Sequence, residues 1–100
     1  MGSMSEIKFS EEKRMRENMQ NYKEKVNELT TEFIRQDKES KGISNLELAE
    51  AMSIPGETVS RYLTGNIKIP VWFVTAYFVY THASEETVLN YFDLVSEVEL

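Results

Sequence analysis

The first half of the chain carries apolar residues at the spacing of one long amphipathic helix. They recur at alternating intervals of four and three residues, which is the repeat of a helix that packs along a single stripe. The stripe consists of Met15, Met19, Tyr22, Val26, Leu29 and Phe33, and Ile34 widens it. Ser10 is a suitable N-cap ahead of the acidic Glu11 and Glu12, and Gly42 is a suitable stop. The pattern predicts one helix, or two collinear helices, over about residues 11–39.

Two interpretations fit the N-terminal part of this helix. Residues 4–25 form either a solvated helical extension or a segment whose apolar face, from Met15 to Val26, packs against another chain. In both, the last third of the helix belongs to a domain over residues 26–100. Met1 to Ser3 resemble an expression remnant ahead of Met4 and are left out of the fold prediction.

Two serines predict where later helices begin. Ser44 is a suitable N-cap for a helix over residues 45–52, and Ser84 for the last helix, from residue 85 onward. The last helix carries an apolar stripe that consists of Val88, Tyr91, Phe92 and Val95.

A proline-glycine turn separates the second helix from the third. Pro55 restricts the residue before it to extended conformations and is suited to the first turn of a helix. Residues 57–63 are therefore predicted to be helical, and Gly65 ends them. The inward positions of this third helix are Val59, Tyr62 and Leu63.

The segment after Pro70, VWFVTAYFVYTH, contains no charged residue. Its aromatic and β-branched content also suits a buried strand, but a single strand would lack a partner in this chain, so a helix is predicted. Because residues 71–80 are apolar all round, this helix is either a central core helix or one whose outer face joins a second subunit or another partner. The chain is predicted to be all-α with about five helices.

Length and composition are those of one small globular domain. The chain has 100 residues and no cysteine, which excludes disulfides and thiolate metal sites and favours a reducing compartment. No basic-then-apolar leader and no apolar run of membrane-spanning length is present, so a cytoplasmic protein is expected.

The negative charge is concentrated in the second half of the chain. The net charge is −6; residues 1–44 hold nine basic and nine acidic residues, whereas residues 45–100 hold eight acidic residues against Arg61 and Lys68. A protein that binds nucleic acid depends on lysine and arginine, so any such function has to rest on local rather than net charge.

The stretch from Ile43 to Pro70, ISNLELAEAMSIPGETVSRYLTGNIKIP, resembles the helix-turn-helix core of Cro/repressor-type (XRE-like) regulators. The matching positions are Leu48, Ala49, Ser53, Ile54, Thr58, Val59, Ser60, Arg61, Tyr62, Gly65 and Pro70. THASEETVL further along is similar to the family's entry to its last helix, so the resemblance covers about residues 26–92. It implies a lambda-repressor-like domain in which residues 45–65 form the helix-turn-helix and the second helix of the pair enters the major groove.

The resemblance also implies which residues contact DNA. Asn45 stands where the family touches phosphate, Arg61 would reach a guanine edge or a phosphate, and Asn66 and Lys68 would bind phosphate. The implied DNA-binding set is Asn45, Gly56, Glu57, Thr58, Ser60, Arg61, Thr64, Asn66 and Lys68.

Four positions depart from the family pattern. Pro55, Gly56 and Glu57 replace the polar residues that usually read bases, and a glutamate accepts a hydrogen bond only from cytosine. Leu63 stands where an acidic residue commonly holds an arginine of the first helix. Weak or narrowly specific DNA binding is therefore expected.

These features predict a sequence-specific transcriptional regulator, a repressor that occludes a promoter and binds double-stranded DNA as a homodimer. The predicted dimer interface consists of Met15, Met19, Tyr22, Val26, Trp72, Phe73, Tyr77 and Tyr80. The alternative is a protein-interaction module with a degenerate helix-turn-helix, such as an antirepressor or an antitoxin-like partner binder. His82 and the Glu85–Glu86 pair lack the partners that a metal site or an acid–base pair needs, so no enzyme, metal, cofactor or small-molecule ligand is predicted.

Overall fold

A computed structural model describes the backbone of residues 3–100 and the side chains of residues 10–100, so Met1 and Gly2 of the expected expression remnant lie outside the described residues. The described part of the chain contains five helices and no strand, which confirms the predicted all-α class. The helices are α1 (Ser3–Ser40), α2 (Asn45–Met52), α3 (Gly56–Thr64), α4 (Val71–Tyr80) and α5 (Glu85–Ser96). Among the residues described, no helix combines the length and the apolar content that crossing a membrane requires.

The first helix is continuous and begins earlier than predicted. Ser10 lies inside α1 and does not cap it, because α1 runs without interruption from Ser3 to Ser40. Residues 4–10 contain neither proline nor glycine, so nothing in the local sequence stops the helix there. Every side chain from Ser10 to Asn21 is exposed, and burial on the domain begins at Tyr22.

Four helices end in the same left-handed turn, at Gly42, Ser53, Gly65 and His82. At Gly42 the amide of the next residue, Ile43, donates to the carbonyl of Lys38 (2.9 Å), which is the Schellman pattern. The two glycine stops were predicted. Ser53 and His82 adopt φ angles of 54° and 50°, which cost a residue with a Cβ more than they cost glycine.

The N-caps predicted at Ser44 and Ser84 are present, and two prolines occupy the N-cap positions of the helices between them. The Ser44 hydroxyl accepts from the amide of Glu47, and the Ser84 hydroxyl accepts from the amide of Thr87, each at 3.1 Å. Pro55 and Pro70 precede α3 and α4 as extended N-cap residues and not as first helical residues.

The core is built from one face of each helix. Its largest fully buried side chains come from α1 to α4, and Tyr91 contributes from α5. They are Ile34, Leu48, Val59, Phe73 and Tyr77.

The aromatic residues of α4 divide between the interior and the surface. Phe73 and Tyr77 are fully buried within the single chain, so they are core residues and do not lie on the face predicted for a dimer interface. The reason is their spacing of four, which places both on the inward side of α4. The outward side carries Val71, Trp72, Val79 and Tyr80, all exposed.

The apolar stripe of α5 is narrower than predicted. Tyr91 is buried, and its hydroxyl lies 2.7 Å from Oγ1 of Thr30 on α1. Phe92, the next residue, is 57% exposed, because a step of about 100° around the helix carries it off the inward face.

A hydrogen bond from a buried tyrosine links α4 to the end of α1. The Tyr77 hydroxyl donates to Oδ2 of Asp37, and the same oxygen accepts from Nζ of Lys41 at 2.6 Å. Burial, then the hydrogen bond to Asp37 and the charge of that carboxylate, raise the pKa of Tyr77 above its ordinary value.

Candidate nucleic-acid interface

Helices α2 and α3 form a compact pair joined by residues 53–55. Their shared interior consists of buried aliphatic and aromatic side chains from both helices, and Met52 and Ile54 pack against it. The buried members are Leu48, Ala49, Val59, Tyr62 and Leu63. Because these residues fix the pair from the inside, the outward side chains of α3 are held on a rigid frame.

The outward face of α3 is dominated by one ion pair. Nη2 of Arg61 lies 2.6 Å from Oε1 of Glu57, one helical turn earlier, and the two side chains are 54% and 73% exposed. Ser60 and Thr64 are also exposed on α3, and the Thr64 hydroxyl donates to the carbonyl of Ser60 at 2.9 Å. The arginine predicted to read a base therefore already has an acidic neighbour.

The start of α3 is open to an approaching ligand. A Cβ placed on Gly56 would meet no atom within 4 Å, so the backbone there is unobstructed. Thr58 is half-buried, and its amide donates to the carbonyl of Pro55 at 3.0 Å. Of these first residues, Glu57 is the one that projects a long polar side chain into solvent.

Asn45 occupies the first turn of α2, as predicted, and is half-buried. Its side-chain oxygen Oδ1 is buried and has no hydrogen-bond partner among the described residues. An amide oxygen without a partner lowers stability unless water or a ligand reaches it.

The loop between α3 and α4 is held to α1 by an asparagine that sequence reasoning missed. Oδ1 of Asn27 accepts from the amide of Ile69 at 2.8 Å. Asn66 and Lys68, predicted to bind phosphate, are exposed on this loop. Asn27 is one polar residue among many on α1, and its spacing carries no signal that would single it out.

An acidic row on α1 faces the same loop. An open groove of about 520 Å³ separates the two, and Asn66 and Lys68 line its other wall. The acidic row consists of Glu24, Glu28 and Glu32, spaced four residues apart along one face of the helix. This row lowers the local potential beside two residues predicted to bind phosphate.

Arg35 links α1 to α3. Its guanidinium pairs with Glu32 on its own helix and reaches the carbonyl of Leu63 at 3.5 Å. The Leu63 side chain is buried.

The remaining predicted interface residues lie on two separate surfaces. Met15 and Met19 are exposed on the projecting part of α1, and Tyr22 and Val26 are half-buried at its base. Trp72 and Tyr80 are exposed on α4 and line an apolar groove of about 540 Å³ against Ala51 and Met52 of α2.

Comparison with protein-family models, with curated proteins and with solved structures finds no match for this chain.

Proposed function

We propose that this chain is a sequence-specific DNA-binding transcriptional regulator that represses by occluding a promoter. In this proposal α2 and α3 act as a helix-turn-helix, with α3 in the major groove and Arg61 as the main base contact. The observation that carries it is the α2–α3 pair, whose buried interior holds Arg61 outward on the exposed face of α3, in its last turn.

The Glu57–Arg61 pair defines the sequence that α3 would prefer. Arginine donates to O6 and N7 of guanine, and glutamate accepts from N4 of cytosine. The two side chains lie one turn apart on α3, so they would contact neighbouring positions in the groove. A bound site rich in C·G pairs at these positions is therefore expected.

Affinity is expected to be modest. Lys68 is exposed on the loop after α3 and makes no ion pair with any described residue. The acidic row on α1 lies across the groove from it. Few phosphate contacts, with acidic residues nearby, favour weak binding and a shallow fall of log K with log salt.

The experiment that tests the proposal is fluorescence anisotropy with a labelled random duplex over a series of salt concentrations. Binding at low salt that weakens as salt rises supports it. No binding at micromolar protein and low salt overturns it. Selection of bound sequences from a random pool then reports whether C·G pairs are enriched.

A second candidate function is a protein-interaction module, such as an antirepressor or an antitoxin-like partner binder. The observation that favours it is the outward face of α4, where Trp72 is 48% and Val79 75% exposed and no residue of the helix is charged. Apolar faces of this kind mark protein contacts.

The two candidates make opposite predictions for substitutions on the two faces. Arg61→Ala weakens DNA binding by a regulator, and Val79→Ser leaves its affinity for DNA unchanged. For an interaction module with a degenerate α3, Val79→Ser impairs the function in cells and Arg61→Ala does not. Anisotropy with a labelled duplex compares the DNA affinity of the two variants.

A further inference from the structure

Nearly half of α1 extends away from the domain. The helix has 38 residues, which corresponds to about 57 Å at 1.5 Å per residue, and the longest dimension of the molecule is 62 Å. All side chains from Ser10 to Asn21 are exposed. An isolated helix as short as the segment from Ser10 to Asn21 is only marginally stable in water. A packing partner would therefore stabilise this segment.

The projecting segment carries apolar side chains on the face that continues into the domain. Met15 is 69% and Met19 40% exposed, and they are followed on the same stripe by the half-buried Tyr22 and Val26. Tyr22 lines two apolar grooves, one of about 470 Å³ that includes Val98 and one of about 250 Å³ that includes Val26. The exposed methionines and the grooves at the base of the helix are complementary surfaces.

The charges beside these surfaces are complementary as well. Arg14 and Arg16 flank Met15, about 100° to either side on the helix. Glu97 and Glu99 border the groove between Tyr22 and the end of α5, and Lys25 lines its α1 side. A second copy whose Met15 packs on Val26, beside this groove, would bring its arginines near these two glutamates.

We propose that two copies of this chain pair through antiparallel N-terminal halves of α1. The two-fold axis lies between Met19 and Tyr22, so that Met15 of one copy packs on Val26 of the other, and Met19 packs on Tyr22. Arg14 and Arg16 of each copy then lie beside Glu97 and Glu99 of the other. The pairing does not depend on whether α3 binds DNA.

Charge selects the antiparallel arrangement over the parallel one. In a parallel pair the two domains would lie side by side at the same end, and residues 45–100 of each carry eight acidic against two basic residues. In the antiparallel pair the acidic domain of each copy lies beside Arg14 and Arg16 of the other copy instead. Opposite charges that face each other across an interface fix the orientation of the partners.

The chain contains no cysteine, so single cysteines report the pairing directly. Met15→Cys and Val26→Cys chains are mixed and oxidised mildly, and the products are separated by mass under non-reducing conditions. The proposal expects a covalent heterodimer and little of either homodimer, because the two Met15 positions lie about 16 Å apart along the antiparallel pair, beyond disulfide reach. Glu17→Cys, on the side of α1 away from Met15, is the control that should not cross-link.

A charge exchange tests the same contact without cysteine. Sedimentation equilibrium should show that Arg14→Glu alone and Glu97→Arg alone each raise the dissociation constant of the pair about ten-fold. A mixture of the two variants should restore it, because each copy then faces an opposite charge. Both sites are exposed, so the variants should fold, and circular dichroism verifies this.

Three results would overturn the pairing. The first is a monomer at all concentrations up to the millimolar range. The second is homodimers of the Met15→Cys chain as the main cross-linked product, which would indicate a parallel pair. The third is a mixture of the charge variants that remains as weakly associated as either variant alone.

Discussion

Nη2 of Arg61 lies 2.6 Å from Oε1 of Glu57 on the exposed face of α3. Glutamate four residues before arginine is the favourable order for such a pair on a helix, and it stabilises an isolated helix slightly. In the proposed complex with DNA the same pair has the opposite effect, because Glu57 would repel phosphate and occupies the guanidinium that would read a base. The proposal therefore makes the strength of DNA binding depend on the competition between Glu57 and DNA for Arg61.

Replacement of Glu57 by glutamine should strengthen DNA binding. The substitution removes one negative charge from the face of α3 and frees Arg61, and exposed ion pairs of this kind are worth up to about 1 kcal/mol. We expect a roughly three- to five-fold higher affinity for a random duplex at low salt, measured by anisotropy. Glu86→Gln removes the same charge from the exposed start of α5 and should change the affinity little; equal effects of both variants would show that only net charge matters.

Arg61 and Lys68 should contribute to DNA binding in different ways. Arg61→Ala should cost about 1–3 kcal/mol on a selected site and relax its sequence preference, because a base contact is lost. Lys68→Ala should weaken binding to all sequences alike and reduce the slope of log K against log salt by about 1, as loss of a phosphate contact does. Identical salt slopes and identical sequence preferences for the two variants would contradict these roles.

The ends of the helices could be predicted from the sequence, whereas the directions of some side chains could not. Ser44, Ser84 and Gly65 act through bonds to residues within one turn, so local patterns reveal them. Helix α4 is apolar on every side, so the periodicity of its sequence does not show which face is buried. The sequence therefore predicts Tyr77 at an interface, although it lies in the core. The Asn27 contact joins residues that are 42 positions apart and is fixed by tertiary packing alone.

Ser53→Gly should stabilise the protein. Ser53 ends α2 with a φ of 54°, a conformation that glycine adopts without a steric penalty. We expect the free energy of unfolding to rise by about 0.5–1 kcal/mol, measured with urea at pH 7. Ser60→Gly is the matched control: it lies within α3, where glycine should lower stability by a similar amount. A loss of stability in Ser53→Gly would show that the serine side chain makes a contact worth more than the strain.

Tyr77 should make the protein sensitive to alkaline pH. Burial, followed by the hydrogen bond to Asp37 and its charge, raises the pKa of Tyr77 in the folded state, while in the unfolded chain it ionises at its ordinary value of about 10. A raised folded pKa means that the stabilisation is fully present below pH 10 and is lost as pH rises beyond it, because the unfolded state then releases a proton that the folded state retains.

The test of this linkage is urea unfolding between pH 8 and pH 11. The free energy of unfolding of the unaltered chain should fall more steeply above pH 10 than that of Tyr77→Phe, which has no phenol to ionise. At pH 7 Tyr77→Phe should itself be less stable by about 1 kcal/mol, because Asp37 loses a hydrogen-bond donor. Tyr80→Phe, on the exposed side of the same helix, should keep the steep alkaline fall. Parallel pH profiles for the unaltered chain and Tyr77→Phe would show that another group controls alkaline stability.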